Sequence, residues 1–414
     1  MLANVITLSP RSNEVAQMSS ALNTHARVPL SPWPHFSDEQ VEAAVSVLRS
    51  GAVNYWTGEQ GRLFEREYAA YLGTKHAIAV SNGTVALELA LRSLGIGPGA
   101  EVITSSRTFI ASASCIVAVG AAPILADVDP VSQNITAENI RRKLTPRTKA
   151  IIAVHLAGWP CDMDPILELA KENSLVVIED CAQAHGAKYK GRPVGSMGDM
   201  NAFSFCQDKI ITTAGEGGLV ATNDDSLWEK AWAYKDHGKS IDAVYRRAHP
   251  PGFRWLHESF GTNWRMTEVQ AAVGRVALRH LDDWVIQRRR NVASWNDGLK
   301  ELKSVRLALP PDGIYHSYYK YYIFIAPHAL RPGWSRDRIM QEINRAGVPC
   351  SVGSCSEIYR ERAFQTLGAA PDPLPTARNL GLTSLMFLVH PTLHEEETRY
   401  MIATARNVIA KATR

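Results

Sequence analysis

Two short stretches of the chain carry residue types that together can perform cofactor chemistry. Phe203-Ser-Phe-Cys-Gln-Asp-Lys209 ends in a lysine, and Val176-Val-Ile-Glu-Asp180 is an apolar run that ends in an acid. A lysine that forms a Schiff base and a carboxylate that keeps a pyridinium nitrogen protonated are the two groups that pyridoxal phosphate (PLP) requires of its protein. Either residue alone could be a cap or a surface charge. Together they predict a PLP site with Lys209 and Asp180 as its catalytic pair.

The stretch Val80-Ser-Asn-Gly-Thr84 has the composition of a phosphate site. It joins an apolar strand to a predicted helix from Thr84 to Leu94, so backbone N–H groups at a helix N-terminus lie beside a glycine that lets an anion approach closely. The hydroxyl of Ser204 can contribute to the same site. A plain strand-to-helix turn is the alternative interpretation of Gly83 and Thr84.

Two further residues have types that suit a planar cofactor ring. Phe109 is predicted to start a helix after the strand at Val102, at the sheet edge where ligands of α/β proteins bind, so its ring can stack on the cofactor. A core phenylalanine at a helix start is the alternative. Gln183 follows the predicted strand that ends at Asp180 and is placed to bond the ring hydroxyl; His185 lies in the same turn.

Alternating strand-like and helix-like runs predict an α/β fold. Continuous apolar strands separated by helical stretches indicate a mostly parallel sheet of about seven strands, covered on both faces. The predicted strands are Ala77–Val80, Val102–Thr104, Pro123–Ala126, Ala150–Val154, Leu175–Ile178, Ala202–Phe205 and Gly218–Thr222.

The chain of 414 residues is too long for one simple core. We expect an N-terminal extension over residues 1–27, a large PLP-binding α/β domain over residues 28–265, and an interdomain helix with a smaller α+β domain over residues 266–414. The predicted elements outside the large sheet are helices over residues 38–50, 227–234 and 267–299, a strand Tyr321–Ile325, a helix that Ser335 caps and Gly347 ends, a strand Ser384–Val389, and a final helix over residues 395–410.

Composition excludes several classes of function. The formal net charge is +4, and the 45 basic and 41 acidic residues form no basic block of the kind that binds nucleic acid. The six cysteines have neither CxxC nor Cys/His zinc spacing, so we expect reduced thiols and no metal site. No run is long and apolar enough for a membrane span, and the N-terminus lacks a signal-peptide layout. These features predict a cytoplasmic protein without nucleic-acid or membrane partners.

The order and spacing of the motifs resemble those of the DegT/DnrJ/StrS sugar aminotransferases, PLP enzymes of the aspartate aminotransferase fold (fold type I). The resemblance extends from about Val28 to the C-terminus. Its motifs are Trp56-Thr-Gly-Glu59, Ser81-Asn-Gly-Thr-Val-Ala-Leu87, Thr108-Phe-Ile-Ala111, Ile178-Glu-Asp-Cys-Ala-Gln-Ala-His-Gly186, Phe203 through Gly218, and Asn263-Trp-Arg-Met-Thr-Glu-Val-Gln-Ala-Ala272.

The resemblance implies a role for each residue that matches a motif. Asp180 holds the pyridinium, Gln183 lies against the ring, Phe109 stacks on it, and Lys209 is the Schiff-base lysine. The residues implied to bind the cofactor phosphate are Gly83, Thr84 and Ser204, together with Asn263, which in the family reaches the phosphate from the partner subunit. The resemblance therefore implies a homodimer with shared active sites.

The same resemblance implies an aminotransferase that moves an amino group from an amino acid, most often glutamate, to a nucleotide-linked keto-deoxysugar. Lys209 separates this chain from relatives that carry histidine there and dehydrate their substrates. The run Thr212–Gly218 is more similar to members that act at C4 of a 4-keto-6-deoxy sugar, whereas Pro349–Tyr359 departs from the aromatic and histidine pattern of many members. A cyclitol (inosose) aminotransferase and a catalytically silent PLP-binding regulator are the alternatives.

Overall fold

The protein is described from a computed structural model that covers residues 29–365 and 373–414. The predicted N-terminal extension over residues 1–27 lies outside these ranges. Within them, the strands are β1 (His76–Val80), β2 (Glu101–Ser105), β3 (Ala122–Ala126), β4 (Thr148–Val154), β5 (Val176–Asp180), β6 (Lys188–Tyr189), β7 (Arg192–Pro193), β8 (Met200–Ser204), β9 (Gly218–Thr222), β10 (Val305–Leu307), β11 (Ile314–Tyr315), β12 (Tyr321–Ile325), β13 (Cys350–Ser351) and β14 (Ser384–Phe387).

The helices of the described residues surround these strands. They are α1 (Asp38–Ser50), α2 (Gln60–Leu72), α3 (Gly83–Ser93), α4 (Ala111–Ala118), α5 (Ala137–Arg141), α6 (Met163–Glu172), α7 (Asp225–Lys235), α8 (Ile241–Tyr245), α9 (Glu268–Arg279), α10 (Leu281–Leu299), α11 (Arg336–Arg345), α12 (Arg362–Gln365), α13 (Pro375–Thr383) and α14 (Glu395–Ala412).

The large sheet has seven strands in the order β1-β9-β8-β5-β4-β2-β3. β9 pairs antiparallel with both of its neighbours, and the remaining pairings between adjacent strands are parallel. Six strands therefore share one direction, and their carboxyl ends meet at one edge. This arrangement confirms the predicted mostly parallel sheet of about seven strands, and apolar strands such as β4 are buried because helices cover the sheet.

Two smaller sheets complete the fold. One contains β10, β12, β14 and β13 in that order, and all of its pairings are antiparallel. α10, α11 and α14 pack around it and enclose a core that includes Trp295 and Phe387. The other, β11-β6-β7, joins the chain after β10 to the hairpin after β5.

Local signals account for several helix boundaries. The hydroxyl of Ser37 accepts from the N–H of Gln40, whose side chain accepts from the N–H of Ser37, so a capping box starts α1. Gly51 ends it with φ of 70°, a conformation that glycine adopts without steric cost. Ser335 caps α11 by accepting from the N–H of Arg338, as predicted.

The helix predicted over residues 267–299 is wrong in one respect: two helices occupy this stretch. α9 ends at Arg279, and α10 begins at Leu281, with His280 between them. No proline or glycine marks the break. Asp282 and Asp283 in the first turn of α10 are the available signal, since acidic residues favour helix N-termini.

Glu179 is a fully buried acid that binds the backbone around the carboxyl end of β5. Its two oxygens accept from His155 Nε2 at 3.0 Å and from the N–H groups of Gly195, Met197 and Gly198 at 3.0, 2.7 and 2.8 Å. Burial opposes its ionisation, but these donors outweigh burial and lower the pKa of the carboxyl below its usual range.

His155, Glu179 and Cys181 have residue types that could hold a metal ion. The Nδ1 atom of His155 accepts from the N–H of Cys161 at 2.9 Å, so its Nε2 carries the proton that Glu179 receives. Because the histidine and carboxylate atoms are engaged in these hydrogen bonds, the group is explained as a structural network.

Two further observations concern cysteines and membranes. The six cysteines are free thiols, and four of them are buried. None of the helices in residues 29–365 and 373–414 has the length and apolarity that crossing a lipid bilayer requires.

We predict that Glu179→Gln destabilises the protein by roughly 2–4 kcal/mol, because an amide cannot accept four hydrogen bonds and leaves buried donors unpaired. Urea unfolding at pH 7.5 measures the loss. The ionised carboxyl stabilises the fold because its pKa is lowered, so this contribution is present above the unfolded-state pKa and is lost as pH falls through the folded-state pKa. The difference in the free energy of unfolding between wild type and Glu179→Gln should therefore become smaller below about pH 4.

Glu138→Gln is the matched control, because Glu138 is exposed and its ion pairs among the described residues are with the neighbouring Arg141 and Arg142. Equal stability of Glu179→Gln and wild type across this pH range would contradict the assigned role.

Candidate cofactor and substrate site

A cavity of about 1100 Å³ lies where the carboxyl ends of β1, β2, β5 and β8 meet. This is the edge at which ligands bind in open α/β sheets. The structure brings seven of the eight predicted site residues to its wall: Gly83, Thr84, Phe109, Asp180, Gln183, Ser204 and Lys209. The cavity is larger than a drug-sized ligand needs, so it has room for a cofactor and a second molecule.

The predicted phosphate cradle depends on a close approach between two chain segments. Gly83 is the first residue of α3, and a Cβ atom placed on it would lie 2.5 Å from the Cβ of Ser204 at the end of β8. Only glycine fits here. Asn82 caps the helix by accepting from the N–H of Val85 at 3.0 Å. The N–H groups of the first turn and the Ser204 hydroxyl therefore border the same space, an arrangement that fits a phosphate group.

Asp180 is a buried carboxylate with few donors. Its Oδ2 accepts from Ser112 Oγ at 2.7 Å, and its Oδ1 accepts from the N–H of Ala182 at 3.2 Å. Burial raises the pKa of this carboxyl above its usual value despite those hydrogen bonds and the nearby charge of Lys209. A cation such as a protonated pyridine nitrogen would supply the missing partner, so the site fits the predicted cofactor ring.

His185 supports the strand end that carries Ser204. Its Nε2 donates to the Ser204 carbonyl at 2.8 Å, which leaves Nδ1 to accept from the hydroxyl of Tyr68 at 2.8 Å. Burial lowers the pKa of His185 to about 3, so the ring is neutral at physiological pH. His185 therefore positions the backbone beneath the cavity and carries no charge.

The two residues expected to contact the cofactor ring have different surroundings. Phe109 is 67% exposed and lies two residues before α4, so the alternative of a core phenylalanine is wrong. The amide oxygen of Gln183 accepts from the N–H of Ala157 at 2.8 Å. The NH₂ group of Gln183 is then the part of the side chain that can donate to a ring hydroxyl.

Lys209 is held by contacts that local sequence did not reveal. Its backbone carbonyl accepts from Trp33 Nε1 at 3.0 Å, and its ammonium lies 5.0 Å from the centre of the Tyr319 ring. A cation over an aromatic face is attracted to it, and this contact orients the side chain without consuming an acceptor.

Asp208, Tyr319 and Lys320 form a cluster beside Lys209 on the cavity wall. Tyr319 donates to Asp208 Oδ2 at 2.5 Å, and Lys320 Nζ lies 3.3 Å from the same oxygen. Partial burial opposes ionisation of Asp208, but the hydroxyl and the ammonium lower the pKa of its carboxyl. The sequence could have indicated Asp208 as a site residue, because it is adjacent to Lys209. Tyr319 and Lys320 could not be recognised in this way, because they directly precede the apolar run Tyr321–Ile325 and resemble the start of a buried strand.

Asn263 is the predicted site residue that does not line this cavity. It is exposed, its backbone bridges to Asp236, and its Oδ1 accepts from the N–H of Arg265 at 3.4 Å. The aromatic side chains of Phe253, Trp255 and Phe260 lie a few residues before it in the chain and are 76%, 80% and 99% exposed. Its expected contact with a partner subunit stays a prediction.

The chain is similar to known proteins over most of its length. Residues 34–406 match the model of the DegT/DnrJ/EryC1/StrS aminotransferase family. The GDP-perosamine synthase of Caulobacter vibrioides is 39% identical over 361 residues, which cover 86% of this chain and 92% of that protein. The pleiotropic regulatory protein of Geobacillus stearothermophilus is 36% identical over 358 residues, 86% of this chain and 90% of that protein.

A solved structure is similar over nearly the whole chain. The X-ray structure of an aminotransferase from Psychrobacter cryohalolentis is 53% identical, with a TM-score of 0.91 that covers 93% of this chain and 100% of that chain. Residues 34–406, which match the family model, include the seven-stranded sheet and the residues that line the cavity.

We predict that Asp180→Asn raises the melting temperature of the cofactor-free protein by roughly 1–3 °C at pH 7.5. The shape is kept, the Ser112 hydroxyl can accept from the new amide, and a buried charge disappears. Because the folded-state pKa of Asp180 is raised, the stability that its protonated form provides is lost as pH rises through that pKa. The melting temperatures of Asp180→Asn and wild type should therefore become equal below about pH 4.

Differential scanning calorimetry of the cofactor-free proteins measures the shift. Asp297→Asn, at an exposed position beside Lys300, serves as the control for removing a carboxylate as such. A lower melting temperature for Asp180→Asn at pH 7.5 would show that the carboxylate stabilises the empty fold.

Proposed function

Because the chain belongs to the DegT/DnrJ/EryC1/StrS aminotransferase family, whose members depend on PLP, we propose that it transfers an amino group from an amino acid to a nucleotide-linked keto-deoxysugar. The observation that carries the proposal is the meeting of Lys209 and Asp180 with the Gly83–Ser204 cradle in one large cavity. The product would serve the synthesis of a surface polysaccharide or a glycoside.

Each candidate residue has a distinct task in this proposal. PLP, when bound, supplies an electron sink for breaking a bond at the substrate carbon. Asp180 would keep the ring nitrogen protonated. The Nζ atom of Lys209 would attach the cofactor and would carry a proton to and from the substrate carbon. The Tyr319 ring and the Trp33 indole hold Lys209 over the cavity for both tasks.

Three observations support a nucleotide-linked acceptor. The cavity volume of about 1100 Å³ exceeds what PLP and an amino acid would fill. GDP-perosamine synthase is a relative at 39% identity, and the run Thr212–Gly218 is similar to members that act on 4-keto-6-deoxy sugars. Glutamate is the proposed donor, and a 4-keto-6-deoxy sugar the proposed acceptor.

The name of the Geobacillus relative keeps a regulatory function as the second candidate. A silent regulator would need cofactor binding without proton transfer. The combination of a Lys209 amine aimed into the cavity and a buried Asp180 favours catalysis, since a sensor has no need of both groups.

We predict that the purified protein with L-glutamate and GDP-4-keto-6-deoxymannose yields the corresponding amino sugar, detected by mass spectrometry. Lys209→Ala should bind PLP through its phosphate contacts yet lose transamination by several orders of magnitude, because nucleophile and proton carrier disappear together. A panel of other nucleotide-linked keto sugars and an inosose identifies the acceptor if this one is refused.

Borohydride treatment of the wild-type protein should fix the cofactor to a peptide that contains Lys209. Lys235 is a useful internal comparison because its ammonium is buried beside Glu65 at 3.3 Å. A label on Lys235, Lys188 or Lys190 would overturn the assignment, and turnover by none of the acceptors would leave the regulatory function as the better account.

We further predict that the active site is shared between two chains, with Asn263 of one reaching the phosphate that Gly83, Thr84 and Ser204 of the other hold. Exposed aromatic side chains near Asn263 support an interface there. Asn263→Ala should weaken PLP affinity. Mixing it with Lys209→Ala should restore roughly a quarter of wild-type activity after subunit exchange, because each hybrid dimer contains one site with both residues intact.

The mixture is compared with each variant alone under limiting PLP, and light scattering follows the oligomeric state. A monomer that keeps full activity at dilution, or hybrid dimers that form and recover nothing, would rule out the shared site.

A further inference from the structure

Arg107 is a fully buried arginine that follows β2 and whose contacts include no carboxylate among the described residues. Its Nε donates to Gln133 Oε1 at 3.0 Å, and its two terminal nitrogens donate to the hydroxyls of Ser356 and Ser384. Its guanidinium also lies 5.5 Å from the centre of the Tyr322 ring. Burying a cation without a counter-ion is costly, so the contacts it makes must be specific.

Three of those contacts cross from the large sheet to the antiparallel sheet, whereas Gln133 lies in the chain between β3 and α5. Ser384 begins β14, Tyr322 lies on β12, and Ser356 belongs to the segment that follows β13. This segment, residues 352–361, is here called the cavity loop. Arg107 therefore makes three hydrogen bonds and one cation–π contact at the junction of the two sheets.

The backbone on either side of Arg107 continues the same attachment. The N–H of Thr108 donates to the carbonyl of Cys355 at 3.1 Å, and the N–H of Ile358 donates to the carbonyl of Ser106 at 3.1 Å. The flanking residues Ser106 and Thr108 thus bind the cavity loop directly, and Phe109 comes next in the chain.

Tyr322 and Ser384 fix the start of the cavity loop. The Tyr322 hydroxyl accepts from the N–H of Ser354 at 2.9 Å, and Ser384 Oγ donates to the carbonyl of Val352 at 2.9 Å. Gly353, which lies between Val352 and Ser354 in the chain, has φ of 83°, and a Cβ on it would lie 2.2 Å from the Tyr322 hydroxyl. Each partner of Arg107 on the antiparallel sheet therefore also holds the loop.

The cavity loop faces the space that the cofactor candidates leave open. Gly353, Ser354, Cys355, Ile358 and Glu361 line the cavity, and none has a role in cofactor binding in the proposal above. An amino acid is small, whereas a nucleotide-linked sugar must extend along the wall of so large a cavity. The loop is therefore placed to contact the acceptor.

We propose that Arg107 is the positioning residue that fixes the cavity loop relative to Phe109 and thereby sets recognition of the nucleotide-linked acceptor, while the reaction with the amino donor does not depend on it. This inference rests on the proposed function. Arg107 touches neither cofactor nor substrate; it acts through Ser356, Ser384 and Tyr322.

The test uses the PLP-loaded Arg107→Met enzyme, which keeps the unbranched apolar stem of the side chain and removes the guanidinium donors. Cofactor occupancy and the half-reaction with L-glutamate, followed through cofactor absorbance, should stay within about 2-fold of wild type. The KM for GDP-perosamine, assayed in reverse with 2-oxoglutarate, should rise roughly 10- to 100-fold, because small displacements of a binding wall have effects of this size. Arg142→Met, on an exposed turn, is the control.

A second readout does not require turnover. Hydrogen exchange should accelerate in residues 352–361 of Arg107→Met and stay unchanged in β8, where Ser204 lies. Ser356→Ala should give a smaller effect of the same kind, and the double variant should be no worse than Arg107→Met, because both changes remove one interaction.

Equal losses in the glutamate and sugar half-reactions, or loss of cofactor, would overturn the proposal by making Arg107 a general structural residue. Unchanged exchange in the cavity loop would overturn it too. If Arg107→Met does not fold, Ser356→Ala and Ser384→Ala decide by the same readouts. If the wild type refuses GDP-perosamine, the exchange data still decide, and the failure falls on the proposed acceptor.

Discussion

The buried carboxylate of Asp180 is the constraint on which the cavity depends. It lies at the end of β5 near the middle of the large sheet, and Ser112 Oγ donates to it from the first turn of α4. Ser112 also pairs with Thr108 Oγ1 at 2.8 Å, immediately before Phe109. The charged group and the aromatic face proposed to contact the cofactor ring are therefore fixed to one another through a single hydroxyl.

Comparison with the neighbouring acid shows why Asp180 is suited to a ligand. Glu179 and Asp180 are both buried, but successive strand residues point to opposite faces, so they meet different surroundings. Four donors serve Glu179 and lower the pKa of its carboxyl, whereas two serve Asp180 and its pKa is raised. With similar burial, the number of donors decides the direction. Glu179 is satisfied by the fold, and Asp180 is left for a cation to complete.

Sequence reasoning succeeded where one stretch of chain carries its own signal. Apolar runs gave the strands of the large sheet, the capping box gave α1, and residues at strand ends gave the wall of the cavity, because parallel strands bring those ends together. It failed where the partner lies far along the chain. Tyr319 binds Asp208 from 111 residues away, and Arg107 binds Ser356 from 249 residues away. No local pattern encodes such a pairing.

The two sheets supply different parts of the cavity wall, which explains how one reaction can serve different acceptors. The residues proposed to handle the cofactor come from the large sheet and its first helix turns, while the antiparallel sheet and the cavity loop supply another part of the wall. Changes in that loop can alter the shape of the cavity without moving Lys209 or Asp180. Arg107 is the limit to this freedom, because a loop that no longer presents the Ser356 hydroxyl leaves one donor of the buried guanidinium unpaired at the junction. A change at Ser356 must therefore be accompanied by a change at Arg107, whereas loop residues that Arg107 does not contact are free to change with the acceptor.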